Sequence, residues 1–366
     1  MTWLARFSLG ITLFIPGALA GQSPAAAATT SPKRAEKAAA LPLFSAREAL
    51  ELALIADYRT LSRNRDTLST QRYPATLQVV KGSDTTNIPV QLRTRGHFRL
   101  LARNCPFVPL RVEFPRGKTP GAELLDSTVF KGQSGLKLVT HCRNEDRYEQ
   151  YVYKEELVYR IHNLITPLSF RSRLATVTYK DTTGKSLGKF PAFFIEDERD
   201  VARRNGGKIA ELRGALFDDL DGKEAVRFAL FEYMIGNTDY SIYSLHNVRL
   251  LVVEGQGSYL PAAYDFDFSG LVSAHYATPD PRLGIRDVQT RLYRGGCTHI
   301  PHLAEVANEF LGLKDRILAL YDSVPGLDKG SVRDSKYYLN SFFETISNPR
   351  ELKAMVADRC VRNPGV

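Results

Sequence analysis

Asp239, Asn247, Asp265 and Asp267 lie in two short stretches, GNTDYSIYSLHN (Gly236 to Asn247) and YDFDFSG (Tyr264 to Gly270). Their neighbours are apolar or aromatic: Leu260, Tyr264, Phe266 and Phe268. Two carboxylates about 4 Å apart repel by roughly 4 kcal/mol at an effective dielectric near 20. Gathering them among such residues calls for a cation or a network of buried donors. Carboxylate and amide oxygens are the ligands that hard divalent cations such as Mg2+ or Mn2+ take. Phosphoryl transfer is a chemistry such cations serve. The alternative is a pair of capping or solvated turns.

Other residues could complete such a site. Arg95 and Arg99 flank Gly96 in RTRGHFR, where a glycine lets backbone approach an anion and guanidinium supplies forked donors. Lys137 sits on an apolar stretch, and Glu155 and Glu156 follow on a helical one. A strand lysine paired with a helix glutamate can hold nucleotide phosphates. Solvated surface charge is the competing reading for each. Hydrolytic readings are weaker. Asp265 and Asp267 are too close in sequence to bracket a sugar by themselves. Ser241 and Ser244 lack the G-x-S-x-G setting of a nucleophile. His246 reads as an ordering hydrogen-bond partner.

The elements that must position these residues follow from periodicity. Ser45 to Ser62 carries Leu50, Leu52, Leu54 and Ile55 after a Ser45/Glu48 capping box, which predicts a helix. Ala75–Val80, Ile88–Leu92, Val108–Phe114, Gly135–Thr140, Leu174–Tyr179 and Phe190–Glu196 predict strands. Tyr148–Ile165 and Lys223–Ile235 predict helices, the second buried around much of its circumference and capped by Asp221. Val248 to Ala263 reads as a hairpin-like spacer. His302–Val324, Ser331–Ile346 and Glu351–Arg362 predict closing helices. Strands before helices argue an α+β class.

The chain has 366 residues, is 43% hydrophobic and carries a formal charge of +9. That balance favours acidic partners such as phosphates. The basic residues are dispersed, with no basic helix or zinc-finger spacing, so no nucleic-acid partner is expected. Arg6, the apolar run Phe7 to Pro16 and Ala18-Leu19-Ala20 predict a secretory signal over 1–20, cleaved after Ala20. The run is short for a membrane span, so no stable insertion is expected after cleavage. A periplasmic or secreted location follows. Residues 21–41, rich in Ala, Ser, Thr and Pro, predict a disordered linker. Export makes the four cysteines readable as two disulfides, and sequence proximity favours Cys105–Cys142 and Cys297–Cys360 among three connectivities. Free thiols and a zinc site remain the alternatives.

Arg95-Gly96, Leu136-Lys137-Leu138-Val139, the Tyr153 to Arg160 helix, Phe193 to Glu196, Gly236 to Asp239, His246-Asn247 and Tyr264 to Asp267 together resemble the CotH-like (spore-coat kinase H-like) family of the protein-kinase-like fold. The resemblance spans about Pro74 to Val272. It implies a two-lobed fold, with a β-rich N-lobe over 42–197 and a helical C-lobe over 198–366. It implies that Asp239 orients or deprotonates an acceptor hydroxyl, that Asn247, Asp265 and Asp267 hold Mg2+ or Mn2+, and that Lys137 with Glu155 holds ATP phosphates. Arg95 and Arg99 would replace a glycine-rich lid, and Glu196 would mark the hinge near the adenine. The chain departs from common kinases around its catalytic loop, which lacks His-Arg-Asp, and beyond it. Seven residues separate Asp239 from Asn247 rather than four, and Asp267-Phe268 is followed by Ser269, not Gly. The implied function is an exported, nucleotide-dependent phosphotransferase acting on an unknown protein or small-molecule acceptor. A non-catalytic ligand-binding or adhesion protein is the alternative.

Overall fold

Leu50, Leu52, Leu54 and Ala56 recur with a period of two, and that period decides the architecture. In the structure, a computed structural model describing residues 31–212 and 214–362, they belong to a strand, β1 (Leu50–Ala56). The expected signal segment, and residues 21–30 of the expected linker, lie outside the described residues. β1 is followed by β2 (Tyr73–Lys81), β3 (Asp84–Thr94), β4 (Leu110–Glu113), β5 (Gly135–Val139), β6 (Ser172–Lys180) and β7 (Ser186–Ile195). β1 pairs antiparallel with β2 and parallel with β6, so the sheet closes into a seven-stranded barrel in the order β1-β2-β3-β4-β5-β7-β6.

The two-lobed kinase-like fold is therefore corrected. The strand that closes the barrel is the segment expected to be a helix. Its Ser45, expected as a helix cap, instead bonds the Pro42 carbonyl of a preceding short turn. With partners on both sides β1 leaves no unpaired backbone edge, which favours strand over helix here. The C-terminal half is not a helical lobe either. It carries a second sheet, in the order β10-β9-β8, formed by β8 (Gly207–Ile209), β9 (Val248–Val253) and β10 (Leu260–Ala263).

The helices are α1 (Pro32–Ala39), α2 (Tyr58–Leu61), α3 (Asp146–Ile165), α4 (Glu198–Arg204), α5 (Gly222–Ile235), α6 (Leu303–Gly312), α7 (Lys314–Leu320), α8 (Lys329–Ser347) and α9 (Pro349–Met355). Within the expected linker, α1 is helical. Arg171 ties its end by donating to the Ala38 and Ala39 carbonyls at 2.9 and 2.8 Å. The closing helix expected over His302–Val324 is broken between α6 and α7, just after Gly312. No helix among the described residues is long and apolar enough to cross a membrane.

Alternation along the strands builds two cores. Leu52, Leu54, Leu136, Leu138, Val177 and Phe194 fill the barrel. Val139, Leu174, Phe193 and Ile195 point the other way, into a second core with α3, α5 and the closing helices. Lys137 shares the outward face of β5 with Val139. The barrel wall thus presents it to the space between the two halves of the chain.

Both disulfides form, as Cys105–Cys142 and Cys297–Cys360, leaving no free cysteine among the described residues. They fit a secreted protein.

Candidate functional site

The N-terminal wall of the site grows from the ends of β3 and β5 and from α3. After β3 the chain turns at Gly96, whose φ of +86° favours glycine, and enters the short turn Phe98–Leu100. Arg95 donates to the Leu110 carbonyl at 3.2 Å, and the Arg99 guanidinium donates to the Thr140 carbonyl. On α3, Glu155 and Tyr159 lie one turn apart and face the same way. Glu156 is rotated off that face, where Arg160 and Ser172 hold it at 2.8 and 2.9 Å.

The opposite wall comes from α5 and the spacer hairpin. α5 starts at Asp221, whose carboxylate accepts from the Glu224 amide at 3.0 Å, and ends at Gly236 with φ +66°. A Cβ there would run into the Tyr338 hydroxyl, so both conformation and space favour glycine. The following loop delivers Asp239. Its backbone N–H donates to Asn237 Oδ1 at 3.0 Å. The Asn247 amide donates to its carbonyl at 2.7 Å and to Oδ2 at 3.1 Å. His246 Nε2 lies 3.1 Å from Oδ1. That bond raises the His246 pKa above its ordinary value. With its N–H groups spent on Asp239, Asn247 keeps its side-chain oxygen for another partner.

β9 and β10 then return the chain to Asp265. Phe266 is fully buried against Tyr159 and Phe231, with ring centroids 4.7 and 5.5 Å apart. Its burial contributes roughly 2–3 kcal/mol and anchors the segment between the two acids. Asp265 has φ +69°, and its N–H donates to the Tyr159 hydroxyl at 2.9 Å. The shared direction of Asp265 and Asp267 therefore comes from a turn, not from the strand alternation expected for residues two apart. Leu245 and Asn247 are also left-handed, at φ +54° and +53°. Three such non-glycine residues in one short region mark backbone held by its surroundings.

The two walls enclose a cavity of about 420 Å³ lined by Arg95, Arg99, Lys137, Glu155, Asp239, Asn247, Asp265 and Asp267, with His246, Arg249 and Tyr264. Eight of the nine expected site residues meet there. Glu196 does not. It is buried under Arg171 and Arg204, at 2.7 and 3.1 Å, and accepts the Arg171 backbone N–H. The expected hinge residue is instead a bolt between barrel and α4.

The cavity mixes acidic and basic groups that shift one another. Burial, then the charges of Asp267 and Asp265, push Glu155 well above the usual carboxylate range. Burial, then Asp265, push Asp267 up to about 7, although the Tyr276 hydroxyl donates to it at 3.1 Å. Arg99 offsets part of this repulsion for both acids. Burial, then the charge of Arg95, lower Lys137 to about 8. Its Nζ lies 4.3 Å from the centroid of the Tyr264 ring, which Arg249 also covers at 4.7 Å. Lys137 makes no ion pair with Glu155 or any other carboxylate among the described residues, so the expected lysine–glutamate pair is not formed. Glu155 belongs to the acid cluster.

Among the described residues, no three His, Cys, Asp or Glu side chains are grouped so as to hold a metal by themselves. Mg2+ is commonly bound by one or two carboxylates together with substrate phosphates and water. A buried carboxylate, Asp267, and a half-buried one, Asp265, that repel each other on a cavity shared with the Asn247 amide suit that kind of oxygen-bound cation. Asp265, Asp267 and Asn247 are the residues that would hold it.

Several contributors escaped sequence reasoning. Tyr159 sits one helical turn from Glu155, a spacing that could have revealed it. Arg249 follows Asn247 by two residues. Tyr276 carried no such signal. Phe98 packs edge-on against Phe268, centroids 5.0 Å apart, and so docks the arginine loop onto the acidic one.

No protein-family model matches the chain, and no curated protein matches it.

Proposed function

We propose that this cavity is the centre of a metal-dependent phosphotransferase of the CotH-like kind, moving a phosphoryl group from a nucleotide such as ATP to an acceptor hydroxyl. The observation that carries the reading is that one cavity gathers Lys137, Arg95, Arg99 and Arg249 together with Asp265, Asp267, Glu155 and Asp239. Lys137 and Arg95 would bind the phosphates. Asp265, Asp267 and Asn247 would hold Mg2+ or Mn2+, which when bound neutralises charge on the transferring group. Asp239, gripped by Asn247 and His246, would orient the acceptor hydroxyl and take its proton. A second cavity of about 930 Å³ also reaches Asp239, His246 and Phe268, and offers the acceptor an approach that avoids the phosphates. The two disulfides support action in a periplasmic or secreted setting.

ATP with Mg2+ or Mn2+ should raise the melting temperature of the protein, and Asp265→Ala should abolish the rise. Asp239→Ala should retain the rise while losing transfer. If no nucleotide shifts the melting temperature, the protein is instead a non-catalytic binding module.

A further inference from the structure

A separate cavity of about 250 Å³ lies where the short turn Pro42–Phe44, the loop from α3 to β6 and the end of α4 meet. Four arginines from four segments line it: Arg47 after the turn, Arg160 on α3, Arg171 before β6 and Arg204 closing α4. It shares no residue with the cavity that holds Lys137.

No acidic side chain among the described residues lines it. The nearby carboxylates sit behind the arginines. Arg160 pairs with Glu156 at 2.8 Å, and Arg171 and Arg204 pair with Glu196 at 2.7 and 3.1 Å. Both glutamate side chains are 0% exposed, whereas Arg160, Arg171 and Arg204 keep 11, 19 and 11%. Four guanidinium groups thus meet two carboxylates, an excess of two positive charges, and only the guanidinium groups face the cavity.

The donors around it are unevenly spent. Arg171 Nη1 donates to the Ala39 carbonyl at 2.8 Å and Arg204 Nη1 to the Pro167 carbonyl at 2.6 Å. Each of these nitrogens carries two protons, so each retains one. Arg160 gives Nε to Glu156 and Nη2 to the Arg47 carbonyl, at 2.8 and 3.3 Å, and its Nη1 makes no hydrogen bond among the described residues. The Arg47 side chain is exposed and makes no hydrogen bond or ion pair among them. The neutral donors are committed elsewhere: Asn163 Nδ2 to Ser169 Oγ and the Phe170 carbonyl, and the Ser172 hydroxyl to Glu156, all at 2.9 Å. What the cavity offers is guanidinium N–H, the donor that matches oxyanions in forked pairs. Like charges gathered on one cavity repel, and a dianion would offset that repulsion. A planar carboxylate occupies one fork, whereas a tetrahedral oxyanion has oxygens for donors from several segments. The volume lies below the roughly 300–1,000 Å³ of drug-sized ligand sites, which suits a small anion.

We infer that this cavity binds a small tetrahedral oxyanion of the phosphate class, orthophosphate or a soluble monoester, held by Arg47 and Arg160 and by the remaining Nη1 protons of Arg171 and Arg204. The site is independent of the phosphotransfer reading.

The test titrates inorganic phosphate and glycerol 3-phosphate into the full chain by calorimetry at constant ionic strength. The Lys137→Met variant is titrated alongside, to remove phosphate binding at the other cavity. Saturable binding should survive in Lys137→Met, and the tighter of the two probes identifies free anion or ester as the ligand. In that background Arg47→Gln should weaken binding about tenfold or more, the range of a hydrogen bond to a charged group, and Arg47→Glu should abolish it. Arg47 is exposed and unbonded, so neither change should lower the melting temperature. Binding that vanishes in Lys137→Met, or that persists undiminished in Arg47→Glu, would overturn the assignment, as would the absence of saturable binding of both probes.

Discussion

The side-chain amide of Asn247 donates to both the carbonyl and the carboxylate of Asp239, at 2.7 and 3.1 Å, from a backbone held at φ +53°. Asparagine tolerates that conformation better than most residues. Asn247→Ala should therefore destabilise the protein by about 1–3 kcal/mol, combining strain with loss of the bonds to Asp239. Asn247→Gly should recover the strain component alone. Urea denaturation of the two variants separates the contributions, and equal stabilities would show the backbone to be unstrained.

Asp267 keeps its proton up to about pH 7 in the folded protein, against an ordinary value of 3.8. Stability from the protonated form is complete below pH 3.8 and is lost as pH rises through 7. Without divalent cations, Asp267→Asn should gain melting temperature relative to the parent, more at pH 8 than at pH 5. Mn2+ should stabilise the parent more at pH 8 than at pH 6, because a cation competes with that proton.

Lys137 loses its charge near pH 8. Nucleotide affinity should fall between pH 7 and pH 9 in the parent protein. In Lys137→Met it should be lower by about tenfold or more at pH 7 and flat above it. An unchanged slope in the variant would place the titrating group elsewhere.

Glu196→Gln should cost on the order of 3 kcal/mol, since it leaves Arg171 and Arg204 without their buried carboxylate. Nucleotide affinity should stay within twofold of the parent, because Glu196 does not reach the cavity. A selective loss of adenine nucleotides with intact stability would restore it to the hinge role.

Replacing Cys297 and Cys360 by Ser should cost about 2–4 kcal/mol. Val361 pairs with Gly296 beside this bridge, and Arg359 and Val361 line the larger cavity. Acceptor turnover should therefore fall more than nucleotide binding, as paired transfer and thermal-shift assays would reveal.

Most of the site was legible because its residues are chemically conspicuous. Acids beside Phe266, and a lysine between Leu136 and Leu138, have few structural excuses. Glu196 looked equally conspicuous, yet its partners Arg171 and Arg204 are scattered in sequence and gave no local sign. The barrel was missed for a related reason. Leu50, Leu52 and Leu54 fit a period of two, but Leu54 and Ile55 also satisfied a helical stripe, and only the pairing of β1 with β6 resolves the ambiguity. That pairing joins residues more than a hundred positions apart, beyond the reach of any window. Tyr276 illustrates the same limit within the site.

The parallel union of β1 with β6 also constrains how the molecule comes into being. A chain emerging from its N-terminus exposes the free side of β1 until Ser172–Lys180 has been made. Through that interval an apolar strand with unpaired amides is open to pairing with neighbouring chains. Long-range closure of this kind is slow relative to local helix formation. The nascent protein should therefore depend on holding chaperones, and truncation before β6 should yield aggregates rather than a smaller barrel.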